Sequence, residues 1–169
     1  MKPFLVFENG TTYTKEQFDK KADVYAEQLR SAGYDKTCRV GVYSSIENVF
    51  KLFGAMQVCS PVIIDHTMTD TELAFYDIDV WSSNLPKPRF NQCQPDEVVG
   101  ICSSGSTEKP HIVPLTEEQY NKTGLDINIQ IHGKITDNDI TINCIPLWVC
   151  IGFQTFALCY KTGATYYVL

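Results

Sequence analysis

The sequence predicts an α/β fold, a layered domain in which helices flank a largely parallel sheet. Short apolar runs typical of strands alternate along the chain with segments whose apolar residues repeat at helical spacing. Hydrophobic residues make up 44% and charged residues 20% of the 169 residues. This composition is that of a globular chain long enough to build one apolar core.

The first segments predict a small hairpin followed by a helix. The run FLVFENGTTYT contains Asn9-Gly10, a pair suited to a tight turn between two strand-forming stretches. Thr14 and Gln17 then have the spacing of a capping box, in which each side chain satisfies a backbone N–H of the other. Apolar residues repeat at helical spacing after this box, and Gly33 is predicted to end the helix.

Strand and helix continue to alternate up to residue 80. The strand CRVGVYS precedes the helix IENVFKLFGAMQV, which Ser44 and Glu47 are predicted to cap. The strand PVIID precedes a third helix, TELAFYDI, which Thr69 and Glu72 are predicted to cap. We therefore assign residues 1–80 to a first α/β block.

The remaining residues predict a connector and a second block within one domain, 1–169. Residues 81–97 contain three prolines and little periodicity, which is typical of a connector. Residues 98–169 begin with the strand VVGICSS, which runs directly into SGSTEKP. Thr116 and Gln119 are predicted to open a helix, and the strand TINCIP, the helix IGFQTFALCY and the strand ATYYVL follow.

Charge and hydropathy exclude several classes of function. The 14 basic and 20 acidic side chains give a formal charge of −6, whereas nucleic-acid binders normally have a basic surplus. No apolar run approaches the roughly 18 residues that a membrane span needs. The start MKPFLVFENG does not have the pattern of a signal peptide. We therefore expect a cytoplasmic protein that neither binds nucleic acid nor spans a membrane.

The seven cysteines are predicted to be buried free thiols. Their number is odd, and neither a C-x-x-C pair nor a cluster with histidine at metal-ligand spacing occurs. Several lie in apolar strand-like runs, where a thiol behaves as a small hydrophobic side chain.

A polar loop follows the strand VVGIC and is the candidate for function. Ser103, Ser104, Gly105, Ser106 and Thr107 place four hydroxyls around one glycine. Such a loop can bind an anion, because converging N–H groups and hydroxyls donate hydrogen bonds and glycine allows close approach. The Walker A pattern is absent. On composition alone, the loop is more typical of an ordinary polar turn.

The segment ICSSGSTEKPHIVPLTEEQY resembles the phosphate loop of the acyl-adenylate-forming superfamily, whose usual text is close to T-S-G-T-T-G-x-P-K-G-V. That superfamily contains acyl- and aryl-CoA ligases, the adenylation domains of peptide synthetases, and luciferases. Two further blocks are similar to it in the same order, one before the loop and one after it. The resemblance implies ATP and Mg²⁺ as cofactors, a carboxylic acid as substrate, and a phosphate-binding role for Ser103, Ser104, Gly105, Ser106, Thr107 and Lys109.

Three positions depart from the superfamily's pattern. Glu108 stands where the loop has its second glycine, and a carboxylate about 5 Å from a phosphate oxygen costs on the order of 3 kcal/mol at an effective dielectric near 20. His111 replaces a lysine and is only partly charged near neutral pH. Lys109 could supply the missing ammonium. Val149 replaces a histidine or aspartate and offers neither charge nor hydrogen bond.

The resemblance extends over the N-terminal subdomain of the superfamily, so the chain is expected to be a truncated AMP-binding domain. The motif that contacts adenine and magnesium, and the domain with the catalytic lysine, would lie beyond it. One hypothesis is the N-terminal fragment of an AMP-forming carboxylate–CoA or carrier-protein ligase, inactive without a missing C-terminal part. The alternative is a degenerate, non-catalytic binding or protein-interaction module. We expect self-association or a partner that supplies the missing subdomain, with ATYYVL as an edge that invites pairing.

Overall fold

In the part of the chain that the structure describes, two four-stranded sheets are flanked by helices, which confirms the predicted α/β layered fold with mostly parallel strands. The computed structural model describes residues 2–103, 111–122, 134–147 and 149–168. In chain order the elements are β1 (Leu5–Phe7), β2 (Thr12–Tyr13), α1 (Lys15–Ser31), β3 (Arg39–Tyr43), a 3₁₀ turn (Ile46–Asn48), α2 (Val49–Met56), β4 (Ser60–Ile64), α3 (Asp70–Tyr76), β5 (Glu97–Cys102), β6 (Ile112–Thr116), α4 (described over 117–122), β7 (Ile140–Asn143), α5 (Cys150–Thr162) and β8 (Thr165–Val168).

The chain divides into two compact units that are not the two sequence blocks. One unit comprises residues 1–21 and 118–169, and the other comprises residues 22–117. The first unit is therefore built from both ends of the chain. The assignment of one domain with a boundary at the connector stays a prediction.

The sheet of the first unit has the strand order β2-β1-β8-β7. The predicted hairpin is confirmed, because β1 pairs antiparallel with β2 around Gly10, whose φ is +83°. The strands β1, β8 and β7 are parallel to one another. Aromatic side chains form the core on one face, with the rings of Phe156 and Tyr166 4.8 Å apart and those of Phe4 and Phe18 5.3 Å apart. The strand ATYYVL thus lies inside the sheet, whose edge strands among the described residues are β2 and β7.

The sheet of the second unit has the order β3-β4-β5-β6, with the first three strands parallel and β6 antiparallel to β5. Every residue of β4 is buried, as expected for a parallel strand covered on both faces. The strand β6 was not predicted. It contains Pro114, which is compatible with a strand at the end of a sheet, where one backbone N–H is dispensable.

Two of the three predicted capping boxes are present. The backbone N–H of Thr14 donates to Oε1 of Gln17 at 2.9 Å, and that of Gln17 donates to Oγ1 of Thr14 at 3.2 Å. The corresponding bonds between Thr69 and Glu72 are 2.7 and 3.3 Å. Both caps depend on residues three apart, which explains why the sequence identifies them.

The cap predicted from Ser44 and Glu47 is wrong. The backbone N–H of Ser44 donates to the carbonyl of Ile64 at 2.9 Å, so Ser44 extends the pairing of β3 with β4. A 3₁₀ turn then begins at Ile46, and α2 begins at Val49. The hydroxyl of Ser44 is buried and makes no hydrogen bond within the described part of the chain.

Residues 81–96 form neither helix nor strand, and polar contacts join them to the rest of the second unit. The hydroxyl of Tyr34 donates to the carbonyl of Pro86 at 3.0 Å. The guanidinium of Arg89 lies 2.9 Å from a carboxylate oxygen of Asp77 and 3.2 Å from one of Asp79. These contacts hold the segment that leads into β5.

Candidate phosphate-binding site

The candidate loop begins at the carboxyl end of β5 and returns into β6. The backbone N–H of Ser103 donates to the carbonyl of His111 at 2.9 Å, which extends the hairpin beyond the pair formed by Cys102 and Ile112. Of the predicted phosphate-binding residues, Ser103 is described. The others, together with Glu108, lie outside the described residues: Ser104, Gly105, Ser106, Thr107 and Lys109.

The side chains of Ser103 and His111 interact at the base of this loop. The backbone N–H of His111 donates to Oγ of Ser103 at 3.0 Å, and Nδ1 of the imidazole lies 3.2 Å from the same oxygen. A neutral imidazole accepts the hydroxyl proton at Nδ1, whereas a protonated imidazole donates to Oγ. The contact between the exposed imidazole and Oγ of Ser103 is therefore compatible with either role of Nδ1.

Tyr76 connects α3 to the same point. Its hydroxyl donates to the main-chain carbonyl of Ser103 at 2.7 Å, and its side chain is buried. Burial raises the pKa of Tyr76, so the hydroxyl stays a neutral donor at physiological pH. The sequence analysis did not select Tyr76. The available signal was its helical spacing from Leu73, the other buried side chain of α3.

A buried ion pair lies at the amino ends of β3, β4 and β5, at the opposite end of β5 from the candidate loop. The guanidinium of Arg39, at the start of β3, donates to the Glu97 carboxylate through Nε at 2.9 Å and through a terminal nitrogen at 2.6 Å. The hydroxyl of Ser60, at the start of β4, donates to the same carboxylate at 2.7 Å. Glu97 itself opens β5. One carboxylate thus joins the amino ends of β3, β4 and β5.

Apolar packing supports the carboxyl ends of these strands. Val62 and Ile64 of β4 pack with Leu73 of α3, and Cys102 and Ile112 pack against this cluster. Burial raises the pKa of the Cys102 thiol to about 11, which makes it a poor nucleophile near neutral pH. The loop therefore begins beside packed apolar side chains, at the edge where the parallel strands of the sheet end, which is where α/β proteins commonly bind ligands.

Val149 lies at the amino end of α5 in the other unit. It is the N-cap residue of α5 and makes no side-chain hydrogen bond there. Three residues later, a Cβ atom on Gly152 would lie 2.2 Å from the carbonyl oxygen of Pro146, so only glycine allows the helix to approach this backbone so closely. The position that carries histidine or aspartate in the superfamily thus has no polar group in this protein.

Two kinds of feature are absent from the described ranges. No group of three or more His, Cys, Asp or Glu side chains in residues 2–103, 111–122, 134–147 and 149–168 could hold a metal ion. No helix over the same residues is both long and apolar enough to cross a lipid bilayer.

All seven cysteines are free, and two of them, Cys144 and Cys150, are exposed, which corrects the expectation that the thiols are buried.

No protein-family model matches the sequence, and no curated protein sequence matches it. Several solved structures, however, match this chain in fold. VinN superposes with a TM-score of 0.78 at 18% identity, over 99% of this chain and 52% of VinN. O-Succinylbenzoate CoA synthetase (MenE) from Bacillus subtilis, solved with the acyl-adenylate intermediate OSB-AMP, gives 0.79 at 15% identity, over 98% and 51%. The inhibitor-bound N-terminal domain of FACL13 from Mycobacterium tuberculosis gives 0.80 at 16% identity, over 99% and 53%.

The chain spans about half the length of these solved relatives. MenE has also been solved with ATP and magnesium. At 15–18% identity, the agreement is one of fold, and it covers nearly all of this chain. The protein therefore has the fold of the N-terminal part of the acyl-adenylate-forming enzymes that its sequence resembles.

Proposed function

We propose that the chain is the N-terminal, phosphate-loop-bearing part of an AMP-forming ligase that joins a carboxylic acid to CoA or a carrier protein. The observation that carries this proposal is the position of the candidate loop. It begins at Ser103, at the carboxyl end of β5, in a fold shared with an enzyme solved with an acyl-adenylate. That edge of a parallel sheet suits the binding of a phosphorylated ligand.

The described residues fit a polyanion at the base of the loop. His111 is exposed, and Nδ1 of its imidazole lies 3.2 Å from Oγ of Ser103. In our proposal, Ser103, Ser104, Gly105, Ser106, Thr107 and Lys109 hold the phosphates of ATP through backbone N–H groups, hydroxyls and one ammonium. Magnesium, when bound with ATP, supplies positive charge that stabilises the transferring phosphoryl group.

We expect that this chain alone does not form an adenylate. Stabilising the α-phosphate during attack requires positive charge placed close to it. In the superfamily that charge comes from the part of the enzyme that the resemblance does not include. The proposal thus separates nucleotide binding, which the chain can contribute, from turnover, which needs the complementary half.

Calorimetric titration with ATP and magnesium tests the binding step. The control is the Ser106→Ala, Thr107→Ala double variant, which removes two loop hydroxyls and leaves the described contacts of Ser103 in place. Heat of binding in the wild type that is lost in the double variant supports the proposal. Equal heats in both proteins would show that the loop is not the nucleotide site.

Pyrophosphate exchange over a panel of carboxylic acids tests the expectation of inactivity. No exchange above that of the double variant is the expected result. Exchange clearly above it would show that the complementary half is dispensable.

The second candidate function is a non-catalytic interaction module with the same fold. Val149 favours it, because this N-cap position has no polar group that could orient a carboxylate. The two candidates differ in the nucleotide titration: a module that has lost ATP binding gives no heat with wild-type protein, while its fold and its binding to a protein partner persist.

A further inference from the structure

Every polar group of Ser103 is engaged at the point where the candidate loop begins. Its backbone N–H donates to the carbonyl of His111 at 2.9 Å. Its hydroxyl oxygen accepts the backbone N–H of His111 at 3.0 Å. Its carbonyl accepts the hydroxyl of Tyr76, the last residue of α3, at 2.7 Å. Two separate elements of the second unit therefore hold Ser103.

The bond from Tyr76 acts on the amide group that joins Ser103 to the rest of the loop. The carbonyl belongs to the same planar peptide unit as the N–H that follows it, and in a trans peptide the two point in opposite directions. A hydrogen bond that fixes this carbonyl therefore also fixes the direction of that N–H. Converging N–H groups are what a phosphate-binding loop offers to its ligand.

A second side chain fixes the end of the helix that carries Tyr76. The helix α3 has only seven residues, and a helix this short depends on contacts outside itself. One terminal nitrogen of Arg89 donates to a carboxylate oxygen of the C-cap residue Asp77 at 2.9 Å, and the other donates to the carbonyl of Asp77. Arg89 thus binds the residue next to Tyr76 by both its side chain and its main chain.

The same guanidinium is joined to the sheet of the second unit. Its Nε lies 3.2 Å from a carboxylate oxygen of Asp79. The carbonyl of Asp79 accepts the backbone N–H of Gly41, in β3, at 2.8 Å. A continuous series of contacts therefore leads from β3 through Arg89 and the end of α3 to Ser103.

We propose that Tyr76 is a positioning residue for nucleotide binding and that Arg89 acts through it. Tyr76 holds the amide group after Ser103 in the orientation in which its N–H faces the phosphates, and Arg89 keeps the end of α3 in place. This role rests on the ATP site proposed above. Loss of either contact lowers the fraction of the protein that is ready to bind, so the apparent affinity falls by the same factor.

Titration of the full chain with ATP and magnesium, followed through its amide resonances by NMR, measures even weak binding. The test variants are Tyr76→Phe and Arg89→Met. Lys87→Met is the matched control for Arg89→Met, because the exposed Lys87 lies in the same segment and makes no hydrogen bond or ion pair within the described residues. We expect affinity about tenfold weaker for Tyr76→Phe, about threefold weaker for Arg89→Met and unchanged for Lys87→Met.

Ser60→Ala separates positioning from general stability. It removes the hydroxyl that donates to the buried Glu97 carboxylate at 2.7 Å, at the opposite end of β5 from the loop. This variant should be less stable in urea and should keep the wild-type affinity for ATP.

A second readout needs no nucleotide. In protein labelled with ¹³C at the serine carbonyls, the resonance of Ser103 reports the hydrogen bond that its carbonyl accepts. We expect this resonance to move in Tyr76→Phe and, by less, in Arg89→Met. It should stay in place in Ser60→Ala and in Lys87→Met.

Several results would overturn the proposal. Equal affinity of Tyr76→Phe and the wild type would show that the bond does not position the loop. A loss of affinity in Ser60→Ala as large as in Tyr76→Phe would make the effect one of stability. Wild-type affinity and an unmoved Ser103 resonance in Arg89→Met would remove Arg89 from the series. If the wild type binds no ATP, the proposed function fails, and the Ser103 resonance decides alone: if Tyr76→Phe leaves it in place, the positioning role fails too.

Discussion

The hydroxyl of Tyr76 donates a 2.7 Å hydrogen bond to the main-chain carbonyl of Ser103, the residue at which the candidate phosphate loop begins. The helix α3 therefore binds the start of the loop through this carbonyl, while the backbone N–H of His111, just before β6, donates to Oγ of Ser103. Since Tyr76 lies 27 positions from Ser103, the bond makes the geometry of the loop depend on the tertiary fold. Local sequence alone does not determine it.

Replacing Tyr76 with phenylalanine tests this relationship. The variant keeps the buried ring and leaves the Ser103 carbonyl without its partner, so we expect a loss of about 1–2 kcal/mol in the free energy of unfolding. Urea unfolding measures the loss. Tyr25→Phe is the control, because the Tyr25 ring packs on Trp81 and no described contact depends on its hydroxyl. Equal stability of the Tyr76 variant and the wild type would show that the bond contributes nothing.

The ion pair of Arg39 and Glu97 leads to a larger expected effect. Glu97→Ala leaves a guanidinium with a side chain only 19% exposed and without its carboxylate, and removing one partner of a buried pair costs about 3–5 kcal/mol. Replacing both residues, as Arg39→Met with Glu97→Leu, should cost clearly less, because no uncompensated charge remains. Urea unfolding of the three variants gives the order. A double variant less stable than Glu97→Ala would contradict this explanation.

The features that the sequence predicts correctly are local. The turn at Gly10 and the caps at Thr14 and Thr69 each depend on residues no more than a few positions apart. The sequence analysis failed where a distant strand competes for the same group. Ser44 was predicted to cap a helix, but its N–H pairs with Ile64, twenty positions away, and the helix begins later.

The order of strands in a sheet also depends on distant contacts. The final strand, β8, was predicted to be an edge, but β1 from the start of the chain and β7 pair with its two sides. The polar network at the amino ends of β3, β4 and β5 was not predicted for the same reason, since Arg39 and Glu97 are 58 positions apart. The candidate loop could be selected because its residues are contiguous and because their order resembles that of a known superfamily, and its phosphate-binding role stays a prediction.

Because two partly buried thiols have raised pKa values, we expect the protein to lose stability in alkali. Burial raises the pKa of Cys93 and Cys102 from 9.0 to about 11 in the folded state. Between these values the folded chain retains protons that the unfolded chain releases, so the stabilisation is complete below about pH 9 and is lost as the pH rises toward 11. The urea midpoint should fall over this range.

The variant Cys102→Ala tests the cause of this alkaline loss. It should lower stability at pH 8, and it should make the fall between pH 9 and 11 less steep than in the wild type. The slope should not vanish, because burial also raises the pKa of Tyr76. Cys144→Ala, which removes an exposed thiol, serves as the control. An unchanged slope in Cys102→Ala would show that its ionisation does not contribute.

The last prediction concerns the charges of the candidate loop: affinity for ATP with magnesium should rise when Glu108 becomes glycine. The carboxylate adds a negative charge beside the expected phosphates, at a cost on the order of 3 kcal/mol at about 5 Å. Glycine also restores a residue that readily adopts positive φ. Calorimetric titration should therefore show an increase of tenfold or more for Glu108→Gly, and Glu108→Gln separates the effect of charge from that of conformation.

Replacing His111 with lysine should raise the affinity further, since the ammonium places a permanent positive charge beside the expected phosphates. His111→Gln keeps a hydrogen-bonding side chain beside Ser103 and is the uncharged control. The effects at positions 108 and 111 need not add, because the sites are neighbours. If the wild type already binds tightly, Lys109 compensates for both departures. If no variant binds, the loop is not a nucleotide site in this chain, and the interaction module is the function that remains.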